Sequence, residues 1–321
     1  MRLRPLRIGT RGSAMALHQA TLVRDRLVAA HAGLAAPGMV EIVPIRTTGD
    51  RVQNRLLAEI GGKGLFTKEI EQALLERRID LAVHSLKDME TILPPGLDIA
   101  CVLPRDDPRD ALVSRDGCAL SALPQGARVG TSSLRRSAQL RAARPDLTTA
   151  DIRGNVDTRL RKLDAGEYDA VVLAKAGLDR LGLSARITEI LRPEVVLPAV
   201  GQGALAVEWL AARDEQFRFL DGLVDTDTML AVAAERAVLA ELQGGCRLPL
   251  GAWARFENSA ERNVMLLDAC VLSADGAESI RRSRSGPCAS ARDAASLGKR
   301  LASELLEAGA ERLLRLAGRV A

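Results

Sequence analysis

The sequence predicts an α/β protein with a smaller α+β segment at its C-terminal end. Strand-like and helix-like patterns alternate through the first two-thirds of the chain, the order that covers a mainly parallel sheet with helices. A length of 321 residues favours two or three domains, and 47% hydrophobic residues supply cores for them. Past Gly244-Gly245 the pattern changes to strands followed by a long helix.

Leu6-Arg7-Ile8 opens the first strand, which ends at Thr10-Arg11-Gly12-Ser13. Ala16, Ala20, Val23 and Leu27 then fall on one helical face. Val40 to Ile45 is a second strand, and a polar segment from Thr47 to Gly64 follows it. Phe66, Ile70, Ala73 and Leu74 mark the next helix, and Ile79 to Val83 a nearly buried strand. The charged, proline-bearing stretch Pro104 to Asp110 reads as a crossing between domains. Beyond it the order restarts with a strand at Ala127 to Val129, a helix from Leu134 to Ala143 and a strand from Tyr168 to Leu173. Pro193 to Pro198 reads as a second crossing, before a strand at Ala204 to Val207. A long helix, Met229 to Leu242, leads to strands at Ala252 to Ala254 and Met265 to Leu272. Leu297, Leu301 and Leu305 mark the last helix. No internal repeat stands out.

Composition narrows the function classes. No run approaches the roughly 18 apolar residues of a membrane span. The N-terminus leads straight into a strand, so a soluble, cytoplasmic protein is expected. Basic and acidic residues number 45 and 41, a net of +4, and only six of the basic residues are lysine. Guanidinium forks grip carboxylates and phosphates in pairs, so the arginine clusters point to an anionic ligand. Aromatics make up 2%, too few to give single strands stacking platforms, and nucleic-acid binding is not expected. His18, His31 and His84 are scattered, and Cys101, Cys118, Cys246, Cys270 and Cys288 lack metal-ligand spacing. No metal is expected.

Several strand-to-helix junctions carry the chemistry. In Gly130-Thr131-Ser132-Ser133-Leu134-Arg135-Arg136 the hydroxyls can cap a helix and, with free N–H groups, cradle an anion. Two arginines in a first helical turn oppose the macrodipole, and an anion between them would resolve the conflict. Arg153-Gly154-Asn155-Val156-Asp157-Thr158-Arg159 and the Arg11–Ser13 turn repeat this layout. Together they favour a ligand with several carboxylates or phosphates. In His84-Ser85-Leu86-Lys87-Asp88, adjacent strand residues face opposite ways, so His84 and Ser85 do not form a nucleophile–base pair. His84 reads as a satisfied core histidine, and Asp88 as the better acid–base candidate. Cys246, in Gly244-Gly245-Cys246-Arg247, reads by itself as a buried residue after a helix cap, while the neighbouring arginine and glycines are also compatible with a reactive thiol.

These stretches together resemble the porphobilinogen deaminase (hydroxymethylbilane synthase) family. The resemblance also rests on Thr48-Gly49-Asp50, Gly61-Gly62-Lys63-Gly64-Leu65-Phe66, Pro198 to Gly203 and Glu235-Arg236-Ala237, all in the family's order along nearly the whole chain. It implies two periplasmic-binding-protein-like, doubly wound α/β domains around a cleft and a small C-terminal α+β domain. The expected boundaries are residues 1–103 with 199–222, residues 104–198, and residues 223–321. The implied enzyme is a transferase of tetrapyrrole biosynthesis. It joins four porphobilinogen units head to tail, releases ammonia, and frees hydroxymethylbilane by hydrolysis.

The implied primer is a dipyrromethane cofactor bound to Cys246 by a thioether. By the same resemblance Asp88 is catalytic, stabilising the cationic pyrrole of each coupling and helping to transfer protons. Arg11, Ser13, Gln19, Lys63, Phe66, Ser85 and Lys87 would bind substrate or cofactor. So would Thr131, Ser132, Ser133, Arg135, Arg136, Arg153, Gly154, Arg159, Arg180 and Gln202. The partners implied are porphobilinogen and the growing oligopyrrole, handled by a monomer. The chain departs from the family's pattern at Met89-Glu90, Lys175 and Glu59. A non-enzymatic binder of small polyanions on the same fold is the alternative reading.

Overall fold

A computed structural model describes residues 5–51, 64–211, 219–242, 248–256 and 263–320. The chain forms two compact units, Met1–Arg105 with Ala204–Met229 and Asp106–Gly203 with Leu230–Ala321.

In the first unit β1 (Leu6–Arg11) leads into α1 (Ala14–Ala30), and β2 (Val40–Ile45) is followed by the short α2 (Thr48–Arg51). Then come α3 (Lys68–Leu75), β3 (Leu81–Ser85), a single 3₁₀ turn over Leu86–Asp88, and β4 (Leu97–Val102). One more strand of this sheet arrives from far along the chain. The order is β2-β1-β3, then Leu205–Leu210, then β4, with the late strand antiparallel to both neighbours. Alternate residues of β3 feed opposite cores, as the two-residue strand period requires. Leu81 and Val83 pack with Ala20, Val23 and Leu27 of α1. Ala82 packs with Ile70, Ala73 and Leu74 of α3. Helices therefore cover both faces, and the sheet is doubly wound.

The second unit begins with β5 (Asp110–Ser114), β6 (Arg128–Gly130), α4 (Leu134–Ala143), β7 (Thr148–Ala150) and α5 (Val156–Asp164). It continues through β8 (Ala170–Ala174), α6 (Lys175–Arg180) and β9 (Glu189–Ile190). The sheet order is β7-β6-β8-β5-β9, and β5 runs antiparallel to β8 and β9. Here too both faces are covered. Val129 and Val172 pack with Leu140 of α4, whereas Val171 and Leu173 pack with Leu160 and Leu163 of α5.

The late strand of the first sheet is β10 (Leu205–Leu210), and α7 (Thr226–Glu241) follows it. The chain then builds a three-stranded antiparallel sheet from β11 (Leu250–Phe256), β12 (Val264–Leu272) and β13 (Ser279–Pro287), covered by α8 (Ala291–Glu307) and α9 (Ala310–Val320). Its core joins Met265, Leu267 and Val271 to Leu297, Leu301 and Leu305 of α8. Buried Glu235 of α7 accepts the Ala254 N–H of β11 at 2.9 Å and the Gly201 N–H at 2.7 Å. That gives the Glu235-Arg236-Ala237 motif a structural task.

The fold class is the expected one, an α/β chain with two doubly wound sheets and a C-terminal α+β part. Each large sheet has a parallel core of three strands, in line with a mainly parallel sheet, and takes in one reversed strand. Several local expectations change. Asp110, read as the end of a crossing, is the first residue of β5. Phe66 precedes α3 instead of lying on it. No strand was expected at β4, β5, β7, β9 or β13, nor a helix at α6 or α9.

Candidate active site

In the first unit the site residues gather where β1 and β3 end. Ser13 caps α1, its hydroxyl accepting the Ala16 N–H at 3.3 Å. The Arg11 guanidinium lies 4.1 Å from the Phe66 ring centroid and donates to Asp50 at 2.5 and 3.3 Å. Burial opposes the Asp50 charge, but the Arg11 and Thr47 hydrogen bonds hold this carboxyl below its ordinary value. The Gln19 amide and the Ser85 hydroxyl exchange hydrogen bonds at 2.9 and 3.2 Å. His84 faces the other way and bonds Glu208 at 3.0 Å, with both side chains buried. The opposed faces of His84 and Ser85 are as expected, and His84 is a paired core residue.

Asp88 closes the 3₁₀ turn after β3, pinned by the Leu86 N–H to the Ala204 carbonyl and by the Met89 N–H to the Leu86 carbonyl, both 3.1 Å. Its side chain is exposed and has no hydrogen-bond or ion-pair partner among the described residues. Lys87 beside it is half-buried. An exposed, unpaired carboxylate at a strand end is available to a ligand, as the other acids near it are not. Glu90, one of the departures from the family's pattern, accepts the Gly64 N–H at 2.7 Å.

The second unit holds the basic residues. Ser133 caps α4 as expected, accepting the Arg136 N–H at 3.4 Å. Ser132 bonds both the carbonyl (2.6 Å) and the N–H (3.2 Å) of Ile152, and Thr131 accepts the Ser133 N–H at 3.3 Å. The expectation of an anion between Arg135 and Arg136 needs correcting in one respect: that anion is internal. Arg135 donates to Asp110 at 2.7 Å, and Arg136 donates to it at 2.7 and 3.0 Å. Arg135 also reaches the Leu197 carbonyl, and Arg136 the Val172 carbonyl. Gln202 donates to Asp110 at 2.9 Å and to the Pro108 carbonyl at 2.7 Å. Full burial works against the Asp110 charge, yet the two arginines hold its carboxyl well below the usual range. Arg180 is engaged as well, with Asp106 and the Gly203 carbonyl each at 2.7 Å. Lys175, another departure, bonds Asp179 at 2.5 Å and lies 4.0 Å from Asp107.

Arg153 and Arg159 differ from these. Neither has a carboxylate partner among the described residues. The Arg153 Nε is buried without a hydrogen-bond partner. Among the described residues Arg159 donates to the Gly154 carbonyl alone, at 2.9 Å, where Gly154 takes a φ of 108° that favours glycine. Burial, with Arg136 and Arg153 nearby, pushes the Arg159 guanidinium down to about 10, against the opposing charge of Asp151. Asp151 favours the Arg159 charge without forming an ion pair, so among the described residues both guanidiniums are left for an external polyanion.

Lys63, Cys246 and Glu59 lie outside the described residues. The other four cysteines are free, and burial pushes the Cys101 thiol up to about 12. Among the described residues no group of three or more His, Cys, Asp or Glu side chains converges as metal ligands would. No described helix is long and apolar enough to cross a membrane. Sequence reasoning missed Asp106 and Asp110 as partners of the arginines. The available signal was the need of two first-turn arginines for a nearby acid.

Comparison with known proteins bears on the whole chain. Residues 6–218 match the family described as porphobilinogen deaminase, dipyromethane cofactor binding domain, and residues 229–307 match its C-terminal domain. The porphobilinogen deaminase of Roseiflexus castenholzii is 53% identical over 309 residues, covering 96% of this chain and 98% of the relative. That of Paracoccus denitrificans is 53% identical over 301 residues, covering 94% and 93%. Among solved structures, a Bordetella pertussis BvgS VFT2 domain aligns with 73% of this chain and 91% of its own at 14% identity and a TM-score of 0.40.

Proposed function

The chain belongs to the porphobilinogen deaminase family, and from that premise we propose which of its residues do the family's work. The enzyme is a transferase that polymerises porphobilinogen head to tail, with loss of ammonia, into hydroxymethylbilane, using a dipyrromethane cofactor. Asp88 is the catalytic carboxylate. The observation that carries this assignment is its exposed, unpaired side chain at the end of β3. As ammonia leaves, positive charge develops on the pyrrole, and a fixed carboxylate facing the ring N–H stabilises it where it forms. The same oxygen atoms can accept the proton released at coupling.

A dipyrromethane carries acetate and propionate groups, so its holder must present unneutralised cations. Arg153 and Arg159 fit, since neither has an ion-pair partner among the described residues and Arg153 has a buried N–H without a partner. Cys246 would hold the cofactor, which would supply the pyrrole carbon that primes chain growth. Arg11 and Lys87 would bind carboxylates nearer Asp88. Arg135, Arg136 and Arg180 meet substrate only through donors left over from Asp110 and Asp106. The β11–β13 sheet, with its own core, is proposed as the third domain, the one bearing Cys246. A cytoplasmic monomer that binds no nucleic acid completes the proposal.

Intact mass of the purified protein tests the cofactor assignment. A dipyrrole adduct is expected, and Cys246→Ala should return the unmodified mass with no activity. An adduct persisting in that variant excludes Cys246 as the anchor.

A further inference from the structure

The Asp88 side chain has no partner among the described residues, so its place is set by the backbone that carries it. On one side the Leu86 N–H ties the turn to the Ala204 carbonyl, and the buried Leu86 and Met89 side chains flank the exposed carboxylate. Past Met89 the chain has no regular structure until β4 begins at Leu97. Within that stretch the half-buried Glu90 reaches another part of the unit, its Oε1 accepting the Gly64 N–H at 2.7 Å. A carboxylate on a backbone N–H makes a charge-assisted bond, stronger than one between neutral groups.

What Glu90 reaches is a turn that is fixed by other bonds. The Gly64 carbonyl accepts the Thr67 and Lys68 N–H groups at 3.1 and 3.0 Å, at the entrance to α3. The Leu65 carbonyl accepts the Gly49 N–H at 2.8 Å. The Phe66 ring lies so close to Gly49 that a Cβ there would meet it at 2.2 Å. The same ring carries the Arg11 guanidinium, and Asp50 holds Arg11 in turn. None of these contacts involves Glu90, so residues 64–66 and Arg11 form a reference to which the Asp88 turn is tied.

We propose that Glu90 is a positioning residue, which through the Gly64 N–H holds Asp88 in register with the Arg11–Phe66 cluster. The inference rests on the catalytic reading of Asp88. A carboxylate stabilises a developing charge in proportion to how well it is placed beforehand, and Asp88 has no side-chain contact of its own to place it. The Glu90 bond, two residues on, supplies that constraint from the far side of the turn. Arg11 keeps Asp50 and Phe66 without Glu90, so loss of Glu90 shifts the reacting carboxylate and leaves the cation in place.

The test is steady-state kinetics of the whole enzyme beside hydrogen exchange of the Gly64 amide. Glu90→Ala should lower kcat by about tenfold or more, since a misplacement of about 1 Å costs up to about 10²-fold. KM should stay within about twofold, the mark of an interaction that acts in the transition state. Glu90→Gln keeps an acceptor oxygen and should recover most of the rate. The Gly64 amide should exchange slowly in wild type and Glu90→Gln, and faster in Glu90→Ala. In an Asp88→Asn background Glu90→Ala should slow turnover no further. A wild-type kcat in Glu90→Ala, a Glu90→Gln as slow as Glu90→Ala, or a full additional loss in the double variant overturns the positioning role. Should Glu90→Ala not fold, the wild-type amide decides, because Gly64 exchanging like an unbonded amide overturns the tie itself. Asp88→Asn alone separates the two readings: if it keeps normal turnover while the Gly64 amide stays protected, the assignment of Asp88 fails instead.

Discussion

Two aspartates do opposite work according to their partners. Asp88 has none among the described residues, so Asp88→Asn should leave the melting temperature unchanged and cut turnover by about 10²–10³-fold, the usual effect of removing one charge-stabilising group. Near-normal turnover in the folded variant would remove its catalytic role. Asp110 is instead saturated by Arg135, Arg136 and Gln202. Removing Arg136 leaves a buried charge short of a partner, and Arg136→Ala should destabilise the fold by about 3–5 kcal/mol. Denaturant titration reads this directly, and an unchanged midpoint would show that Arg136 is not structural. The acid limb of stability follows from the same group. The Asp110 carboxyl is depressed in the folded state, so its contribution is present above the ordinary carboxylate range and lost as pH falls through the depressed value. Asp110→Asn, compared with wild type from neutral to acid pH, should flatten that limb. A limb as steep as wild type would assign acid sensitivity to other groups.

At the scale of elements, the chain crosses to its second unit at Asp106 and leaves it after Gly203, and these two crossings meet. Asp106 donates its N–H to the Gly203 carbonyl at 3.3 Å, and Arg180 bonds both residues. Gly203 has a φ of 88°, and a Cβ on it would run into the Asp106 carbonyl. Gly203→Ala should therefore cost roughly 1–3 kcal/mol from strain of this kind. A melting temperature equal to wild type would show that the crossing relaxes freely. The same elements show why some structure was legible and some was not. The helix from Leu134 to Ala143 could be read to the residue because Ser133 caps it. β5 could not, since its apolar run Ala111-Leu112-Val113 follows a proline-rich, charged stretch that reads as a linker. β13 is hidden by Arg and Ser on both faces, and only its pairing with β12 makes it a strand. The Asp110 cluster was only half legible for a related reason: the adjacent arginines call for an acid, but Asp110 lies 25 or more residues from each of its partners and no local pattern picks it out.

Across the whole molecule the two large sheets share one strand order although no repeat is visible in sequence. In each, three parallel strands are followed by a reversed strand and then an outer one. The reversed strand comes from late in the chain in the first unit and from its start in the second, so the covalent order conceals the likeness. The division of labour follows the units, with the unpaired carboxylate in the first and the arginine cluster in the second. Every added porphobilinogen brings two further carboxylates, while on the proposed assignment the chemistry at Asp88 repeats unchanged. On that proposal chain length is sensed through how the arginines are occupied. Arg153 and Arg159, without ion-pair partners among the described residues, can take up carboxylates without breaking an internal pair. Arg135 and Arg136 must share theirs with Asp110. A brief substrate pulse followed by mass spectrometry should reveal covalent species carrying one, two, three and four added units. Arg153→Ala and Arg159→Ala should redistribute those species without lowering the melting temperature. Arg135→Ala and Arg136→Ala should lower the melting temperature and act earlier, at cofactor assembly or the first coupling. If all four variants slow every step alike and leave the distribution unchanged, the arginines supply only a general positive field and do not count the rings.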